Sequence, residues 1–309
     1  MMKFSMKKIA TAAMATVAVF AMSAGSALAI QTFTINPLAI PGFVPANAAF
    51  QATFISGNTS ELLHQTATGN FGTGWLQFSG FANNGPTVNP LVTGVNIDYG
   101  LYIIFKETTV YTGNTNIIGP IGNGTLGSNY NVTQLDFTVF ADPLTSGGVS
   151  NNGYTNANAV TNTEATVSNT ADDIVLAVGS LVTGVAGVDA LGGAFLNSTQ
   201  TFAVCNGVGT AKLGALTIPV ASCAGNTGSS YFALPSPFYN VAFDAFNNTS
   251  QGVTRGFDAL GRPTIGIANA IGGVDFNKVP EPTSLALLGI ALAGVGFSSR
   301  RSKAAKTVA

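Results

Sequence analysis

Histidine and cysteine are scarce in this sequence of 309 residues. His64 is the only histidine, and Cys205 and Cys223 are the only cysteines. A Ser-His-Asp triad would have to use His64, and no Gly-x-Ser-x-Gly elbow accompanies it. Zinc needs more histidine or cysteine ligands than the chain holds. We therefore expect no catalytic residues, and we interpret His64, within a half-apolar strand-like run, as a surface or edge residue.

Charge is also scarce, because only 8% of the residues are charged. Residues 30–279 contain five basic and twelve acidic residues, which gives a net charge of −7. An acidic segment with scattered cations offers no positive stripe for phosphates, so we expect no nucleic-acid partner. The spacing of the carboxylates shows no pair of the kind that a glycosidase uses.

Few signals favour helix or a metal in residues 30–279. The stretch 172–196 is the one weak helix candidate, which Asp172 or Asp173 would cap, although its glycines argue against a long helix. The Asn-rich segment 142–171 is expected to be an exposed excursion that is either mobile or loosely paired. Asp142, Asp172 and Asp173 flank it, and hard oxygen ligands suit calcium. No Asp-x-Asp-x-Asp loop is present, so we expect no cofactor and keep calcium as the alternative.

Strand signals are abundant. Apolar and polar residues alternate in runs that end at Gly, Asn and Pro turns, which is typical of half-buried antiparallel strands. The runs are 32–35, 50–54, 76–79, 134–139 and 239–245. Residues 99–105 are apolar on both faces, which favours a central strand. The prediction is an all-β single domain over 30–279, an antiparallel sandwich or jelly-roll-like body of about ten strands.

Two further features of this segment have alternative interpretations. Trp75, Phe78 and Phe81 could form a sugar-stacking platform, but aromatics at period two are more often core. Cys205 and Cys223 could be buried thiols, but an exported protein favours a disulfide that closes a loop around a short hairpin or loop.

The amino-terminal end has the features of an export signal. Lys3, Lys7 and Lys8 precede an apolar stretch, and small residues follow at Ala27 and Ala29. This order predicts a signal peptide over residues 1–29 that signal peptidase cleaves after Ala29.

The carboxyl-terminal end combines three features in a fixed order. Pro280, Glu281 and Pro282 precede an uncharged stretch, 283–299, which is predicted to be a transmembrane helix of minimal length. Arg300 and Arg301 follow as a cytoplasmic stop, which places residues 30–279 outside the cell. Residues 280–309 therefore resemble the PEP-CTERM sorting tail. The resemblance implies recognition by an exosortase during a transient stay in the inner membrane of a Gram-negative bacterium that makes exopolysaccharide.

Several segments between the ends extend the resemblance. In order along the chain they are 31–37, 98–105, 192–198 and 239–246. Together they look like the flocculation-associated PEP-CTERM protein family. That resemblance implies a non-enzymatic surface and matrix protein that promotes cell aggregation with exopolysaccharide, with self-association as a further expectation. The alternatives are a carbohydrate-binding module and, third, an extracellular hydrolase.

Overall fold

The computed structural model describes residues 31–40, 48–114, 126–143, 151–225, 227–247 and 252–277, and these residues are almost entirely β. The helical elements within these ranges are a 3-10 turn, Pro37–Ala39, and two short helices, α1 (Pro90–Thr93) and α2 (Gly228–Tyr231). The strands are β1 (Phe33–Ile35), β2 (Phe50–Ala52), β3 (Phe54–Gln65), β4 (Gly69–Ala82), β5 (Tyr99–Asn114), β6 (Ser128–Pro143), β7 (Gly153–Thr155), β8 (Thr166–Ser168), β9 (Ile174–Val188), β10 (Ala194–Thr201), β11 (Ala203–Cys205), β12 (Val208–Leu213), β13 (Leu216–Ala224), β14 (Phe232–Leu234), β15 (Val241–Asn247), β16 (Val253–Phe257) and β17 (Pro263–Asn277). The all-β prediction is confirmed, although the strands are more numerous than expected.

The main sheet curls into a barrel-like form. Its neighbours run in the order β10-β15-β17-β3-β4-β5-β6-β9, and β9 also pairs with β10, so that the strands form a ring. Every pairing in the ring is antiparallel. The predicted sandwich or jelly roll is therefore wrong. Alternation along single strands is the same in both architectures, and only the pairing of β9 with β10 distinguishes them.

The interior of the ring, which we call the lumen, holds most of the core. Alternate side chains of each strand point inward, as the strand period of two requires. Leu101, Ile103 and Phe105 of β5 line the lumen, as do Leu135 and Phe137 of β6. The expected central strand at 99–105 is thus the first part of β5, with β4 on one side and β6 on the other.

A small sheet and an aromatic cluster pack against this core. Strands β14, β1 and β2 form a sheet of their own in that order. Phe33 of β1 contacts Phe276 of β17 at a ring-centroid distance of 5.0 Å, and Phe202 contacts Phe276 at 4.8 Å. Edge-to-face contacts of this kind add to the burial energy of the rings.

The predicted helix in 172–196 is wrong, because this stretch forms β9 and enters β10. Its glycines allow atoms of neighbouring strands to approach the backbone closely. A Cβ at Gly179 would lie 2.1 Å from the Thr201 carbonyl oxygen and 2.3 Å from Phe137 Cζ, and one at Gly187 would lie 2.5 Å from Phe195 Cζ. Glycine here permits close approach within the sheet.

Many of the described residues 151–171 are exposed, as expected for an excursion, but the segment also packs against the ring. Strands β7 and β8 pair as a hairpin. The segment between them buries Ala157, Ala159 and Ala165 against Leu62 and Trp75 on the outer face of the ring. We call residues 151–168 the cover segment. Small alanine side chains allow it to lie close to the sheet, which the Asn-rich composition did not indicate.

Among the described residues, no helix is both long enough and apolar enough to span a membrane.

Candidate functional site

The predicted processing residues lie outside the described residues. They are Ala27 and Ala29 of the signal peptidase site, Pro280, Glu281 and Pro282 of the sorting motif, and the stop residues Arg300 and Arg301. The signal peptide, the domain boundaries and the membrane helix 283–299 therefore stay predictions from the sequence.

The predicted disulfide is present. Cys205, at the end of β11, is bonded to Cys223 of β13, and both side chains are fully buried. The β12–β13 hairpin lies inside the loop that the bond closes, as predicted. The bond ties this hairpin to β11, which itself pairs with β9 of the ring.

The structure brings Asp142, Asp172 and Asp173 together. A carboxylate oxygen of each lies within 4.8 Å of those of the other two. Asp142 is fully buried at the end of β6, whereas Asp172 is exposed. Asp172 and Asp173 precede β9 and cap no helix, contrary to the prediction. Three carboxylates are ligands of the kind that calcium prefers, so calcium at this place stays the alternative to the prediction of no cofactor.

Amide and phenol donors surround these aspartates. The Asn151 side chain donates to Asp172 at 3.2 Å, and the Asn152 side chain donates to Asp173 at 3.0 Å. The Tyr102 hydroxyl also donates to Asp173. Burial raises the pKa of Asp173, while the bonds from Tyr102 and Asn152 oppose that increase. The segment that begins at Asn151 is thereby held to the start of β9.

His64 is buried on an inner strand of the sheet and faces two carboxylates, so the expectation of a surface or edge residue is wrong. Strand β3 runs between β17 and β4, and His64 is only 9% exposed. Its Nδ1 lies 3.2 Å from Asp258 Oδ2, and its Nε2 lies 2.9 Å from Glu164 Oε1. The ring stacks on Phe71 at a centroid distance of 5.3 Å. Both imidazole nitrogens therefore face carboxylates.

Asp258 is the centre of this cluster. Its carboxylate accepts hydrogen bonds from the Arg262 side chain at 2.6 Å, and from the backbone N–H groups of Leu260 and Arg262 at 2.9 Å each. Burial alone would raise the pKa of Asp258, but these donors outweigh it and lower the pKa to about 2. Arg262 also lies over the Phe71 ring, 5.2 Å from its centroid. The cluster is well supplied with donors, and it joins β3 to the turn between β16 and β17.

Inside the lumen the structure forms a carboxyl pair that the sequence analysis missed. Glu61 of β3 and Glu107 of β5 are 5% and 4% exposed. They lie on either side of β4, where Gly74 pairs with Glu61 and Gly72 pairs with Glu107. A Cβ at Gly72 would lie 3.0 Å from Glu61 Oε1 and 2.5 Å from the Leu62 carbonyl oxygen. Glycine on the middle strand is what lets the two carboxyl groups meet.

The pair is short of hydrogen-bond donors. Burial raises the pKa of Glu61 well above its usual range, and the nearby Glu107 adds to that effect. Burial and the charge of Asp244 raise the pKa of Glu107 to about 7, against a hydrogen bond with Glu61 that lowers it. Glu61 Oε1 and Glu107 Oε2 are buried and accept no hydrogen bond from any described residue. Such oxygens are costly to bury, and natural proteins contain few of them.

Trp75 belongs to the core, as the sequence favoured. It is 4% exposed beneath the cover segment, and its Nε1 donates to the Thr155 carbonyl oxygen at 2.8 Å. Phe78 and Phe81 are also buried. These three aromatics are not accessible as a stacking surface for sugars.

Comparison with known proteins identifies the carboxyl-terminal region. Residues 278–301 match the family model described as the PEP-CTERM protein-sorting motif. No curated protein and no solved structure matches the chain. The matched residues include the Pro-Glu-Pro tripeptide, the apolar stretch and both arginines that the sequence analysis singled out.

A motif of this kind defines a class of exported surface proteins that pass through the membrane and are processed by an exosortase. The chain carries this motif at residues 278–301, which implies an exported surface protein that an exosortase sorts.

Proposed function

We propose that this protein is a non-enzymatic component of the cell surface and extracellular matrix that promotes cell aggregation together with exopolysaccharide. The observation that carries the proposal is the sorting motif at residues 278–301. The motif implies export and surface sorting, and the resemblance of segments between 31 and 246 to flocculation-associated PEP-CTERM proteins supplies the rest.

The outer face of the ring has side chains suited to polysaccharide. Strand β6 exposes Asn131, Thr133 and Gln134, and Thr183 of β9 and Asn197 of β10 are also exposed. Uncharged hydrogen-bonding groups of this kind make weak contacts with sugar hydroxyls. Dense display on a cell surface adds such contacts into a strong multivalent attachment to polymer and to other copies of the chain.

The proposal is tested by deleting the gene in the producing bacterium and restoring it in defined forms. We expect the deletion to reduce floc formation while the yield of bulk polysaccharide stays unchanged, and the full chain to restore flocs. Normal flocculation without the protein would refute the aggregation role. Equal loss of flocs and polysaccharide would instead assign the protein to polymer production.

The sorting step has its own test. Replacing Pro280 and Pro282 by Ala removes the extended strip in front of the apolar stretch, so we expect the protein to be retained in the inner membrane. Pro86→Ala, at an exposed turn, is the matched control and leaves sorting intact. Peptide mapping of matrix material should find molecules that end near residues 279–283. Matrix molecules that still contain residues 285–306 would show a plain membrane anchor.

A further inference from the structure

The lumen contains a cavity of about 90 Å³ that is lined mainly by apolar side chains and by a few polar ones. Most of its wall is apolar, with Leu63, Leu76, Phe105 and Leu135 among the lining residues. A water molecule needs only about 10–15 Å³ when volume is measured this way, so the space admits something larger than one water. An apolar wall gives water few partners and favours an organic guest.

Three oxygen atoms in the polar part of this cavity lack hydrogen-bond donors among the described residues. Within the described ranges, Glu61 Oε1, Glu107 Oε2 and Asn70 Oδ1 accept no hydrogen bond. Asn70 is 3% exposed, lines the same cavity and donates its own amide to Thr109 Oγ1 at 3.3 Å. On β4, Asn70 lies two residues before Gly72 and points to the same inward face. On β5, its partner Thr109 lies two residues after Glu107. The three acceptors therefore belong to neighbouring positions on adjacent strands.

Asp244, another carboxylate of the lumen, does accept hydrogen bonds. Asp244 of β15 accepts a hydrogen bond from the Ser198 backbone at 2.7 Å and from the Gln200 side chain at 2.9 Å. Donors for Asp244 are thus supplied by the neighbouring strand β10. The part of the chain that the structure describes supplies no donor to the three oxygens, so a guest with several N–H or O–H groups would satisfy them.

We propose that the lumen is a binding site for a small primary amine, whose ammonium group donates to Glu61, Glu107 and Asn70 and whose hydrocarbon portion fills the apolar part of the cavity. A primary ammonium carries three N–H donors and no acceptor, which matches three acceptors without donors. Its positive charge pairs with the carboxyl pair, which is the arrangement that makes a buried charge tolerable. A bare metal ion would satisfy the oxygens but leave the apolar part of the cavity empty. The inference is independent of the aggregation role.

The test is isothermal titration of the purified exported protein with n-butylamine at pH 8. Because the pKa of Glu107 is about 7, its carboxylate is ionised there, while an alkylamine is still protonated. We expect saturable binding of one molecule, with n-butanol of the same shape binding at least tenfold more weakly. Absence of butylamine binding, or equal binding of the alcohol, would overturn the proposal.

Variants locate the binding. Glu107→Gln keeps the shape and removes the charge, so it should weaken butylamine binding at least tenfold. Asn70→Ala removes one acceptor and should weaken it severalfold, which gives a second test if the glutamine variant folds poorly. Asp136→Asn is the matched control, because it removes an exposed carboxylate from β6.

Equal butylamine affinity in all of these proteins would mean that an acidic protein attracts the amine in general, and it would refute the site. Tight binding of calcium chloride that Glu107→Gln abolishes, without amine binding, would make it a cation site instead.

Discussion

Glu61 and His64 lie on the same strand, β3, but on opposite faces of the ring, and their surroundings differ in the supply of hydrogen-bond donors. Outside, Asp258 beside His64 accepts bonds from Arg262 and Leu260, and its pKa falls to about 2. Inside, Glu61 and Glu107 face mainly each other and an apolar wall, and both pKa values rise. Asp258, Glu61 and Glu107 are all buried, so burial alone does not decide whether these carboxyl groups are charged. The donors brought by neighbouring segments do.

The largest effect is expected from closing the space between the two glutamates. Gly72→Ala places a Cβ 2.5 Å from the Leu62 carbonyl oxygen and 3.0 Å from Glu61 Oε1, so backbone and carboxyl must both shift. We expect a loss of about 3 kcal/mol in the free energy of unfolding, measured by chemical denaturation.

Gly80→Ala is the matched control on the same strand β4. Among the described residues, a Cβ there comes within 4 Å of Ser56 Oγ alone, at 3.6 Å. Since alanine restricts the unfolded chain, we expect no loss and a gain of up to about 1 kcal/mol. If the two variants were equally stable, the glycine on β4 would not be what permits the carboxyl pair.

Next in size is the effect of neutralising the pair. A carboxyl group whose folded pKa is about 7, against an ordinary value of 4.5, binds more protons folded than unfolded between those pH values. Stability therefore decreases as pH rises from about 4.5 to 7 and stays reduced above that range. Glu107→Gln should raise the free energy of unfolding at pH 8 by about 3 kcal/mol. It should also make the decrease in stability with rising pH smaller, and we attribute the remaining decrease to Glu61 and Asp244.

Denaturation curves collected from pH 4 to 8 check this, with Asp136→Asn as the control, which should change stability by less than about 0.5 kcal/mol. A Glu107→Gln protein that is less stable than the unmodified one at pH 8 would contradict the account. It would mean that the ionised pair is already matched by donors.

The sequence predicted features that depend on near neighbours and missed those that depend on pairing between distant strands. Alternation at 134–139 and 239–245 gave parts of β6 and β15 correctly, because period two is local. Glu61 and Glu107 are far apart in the chain and meet only across β4, so their spacing could not reveal a pair. Glu61 does share its face with Leu63, and Glu107 shares its face with Phe105. Two acids at inward positions of apolar strands were the available signal.

The glycines show the same limit. In the sequence, Gly179 and Gly187 argued against a helix but did not indicate a strand. Glycine is needed there because the rings of Phe137 and Phe195, on neighbouring strands, lie where a Cβ would be. The closure of the ring through β9 and β10 likewise follows from pairing that no local pattern records. The carboxyl-terminal motif was predictable in full, since its three parts are contiguous.

The outer cluster should respond to acid in the opposite sense. A carboxylate with a lowered pKa stabilises the fold above its ordinary pKa, and that stability is lost as pH falls toward the folded pKa of about 2. Asp258→Asn should lower the melting temperature at pH 7 and remove part of the decrease in stability between about pH 4 and 2. Thermal melts at a series of pH values measure it. If Asp258→Asn lost as much stability between about pH 4 and 2 as the unmodified protein, other carboxylates would account for the decrease.

The smallest effect is expected at Glu164, the other partner of His64. Its side chain is 44% exposed, whereas that of Asp258 is 4% exposed, although the distances to the imidazole are similar. Solvent screens an exposed carboxylate, and holding its flexible side chain in place costs entropy, so Glu164→Gln should reduce stability by less than about 1 kcal/mol. Chemical denaturation at pH 6 and 8, with Asp258→Asn alongside, compares the two partners of one histidine in one experiment. A loss at Glu164 that equals the loss at Asp258 would mean that the imidazole contact, and not the set of donors around Asp258, holds the outer cluster together.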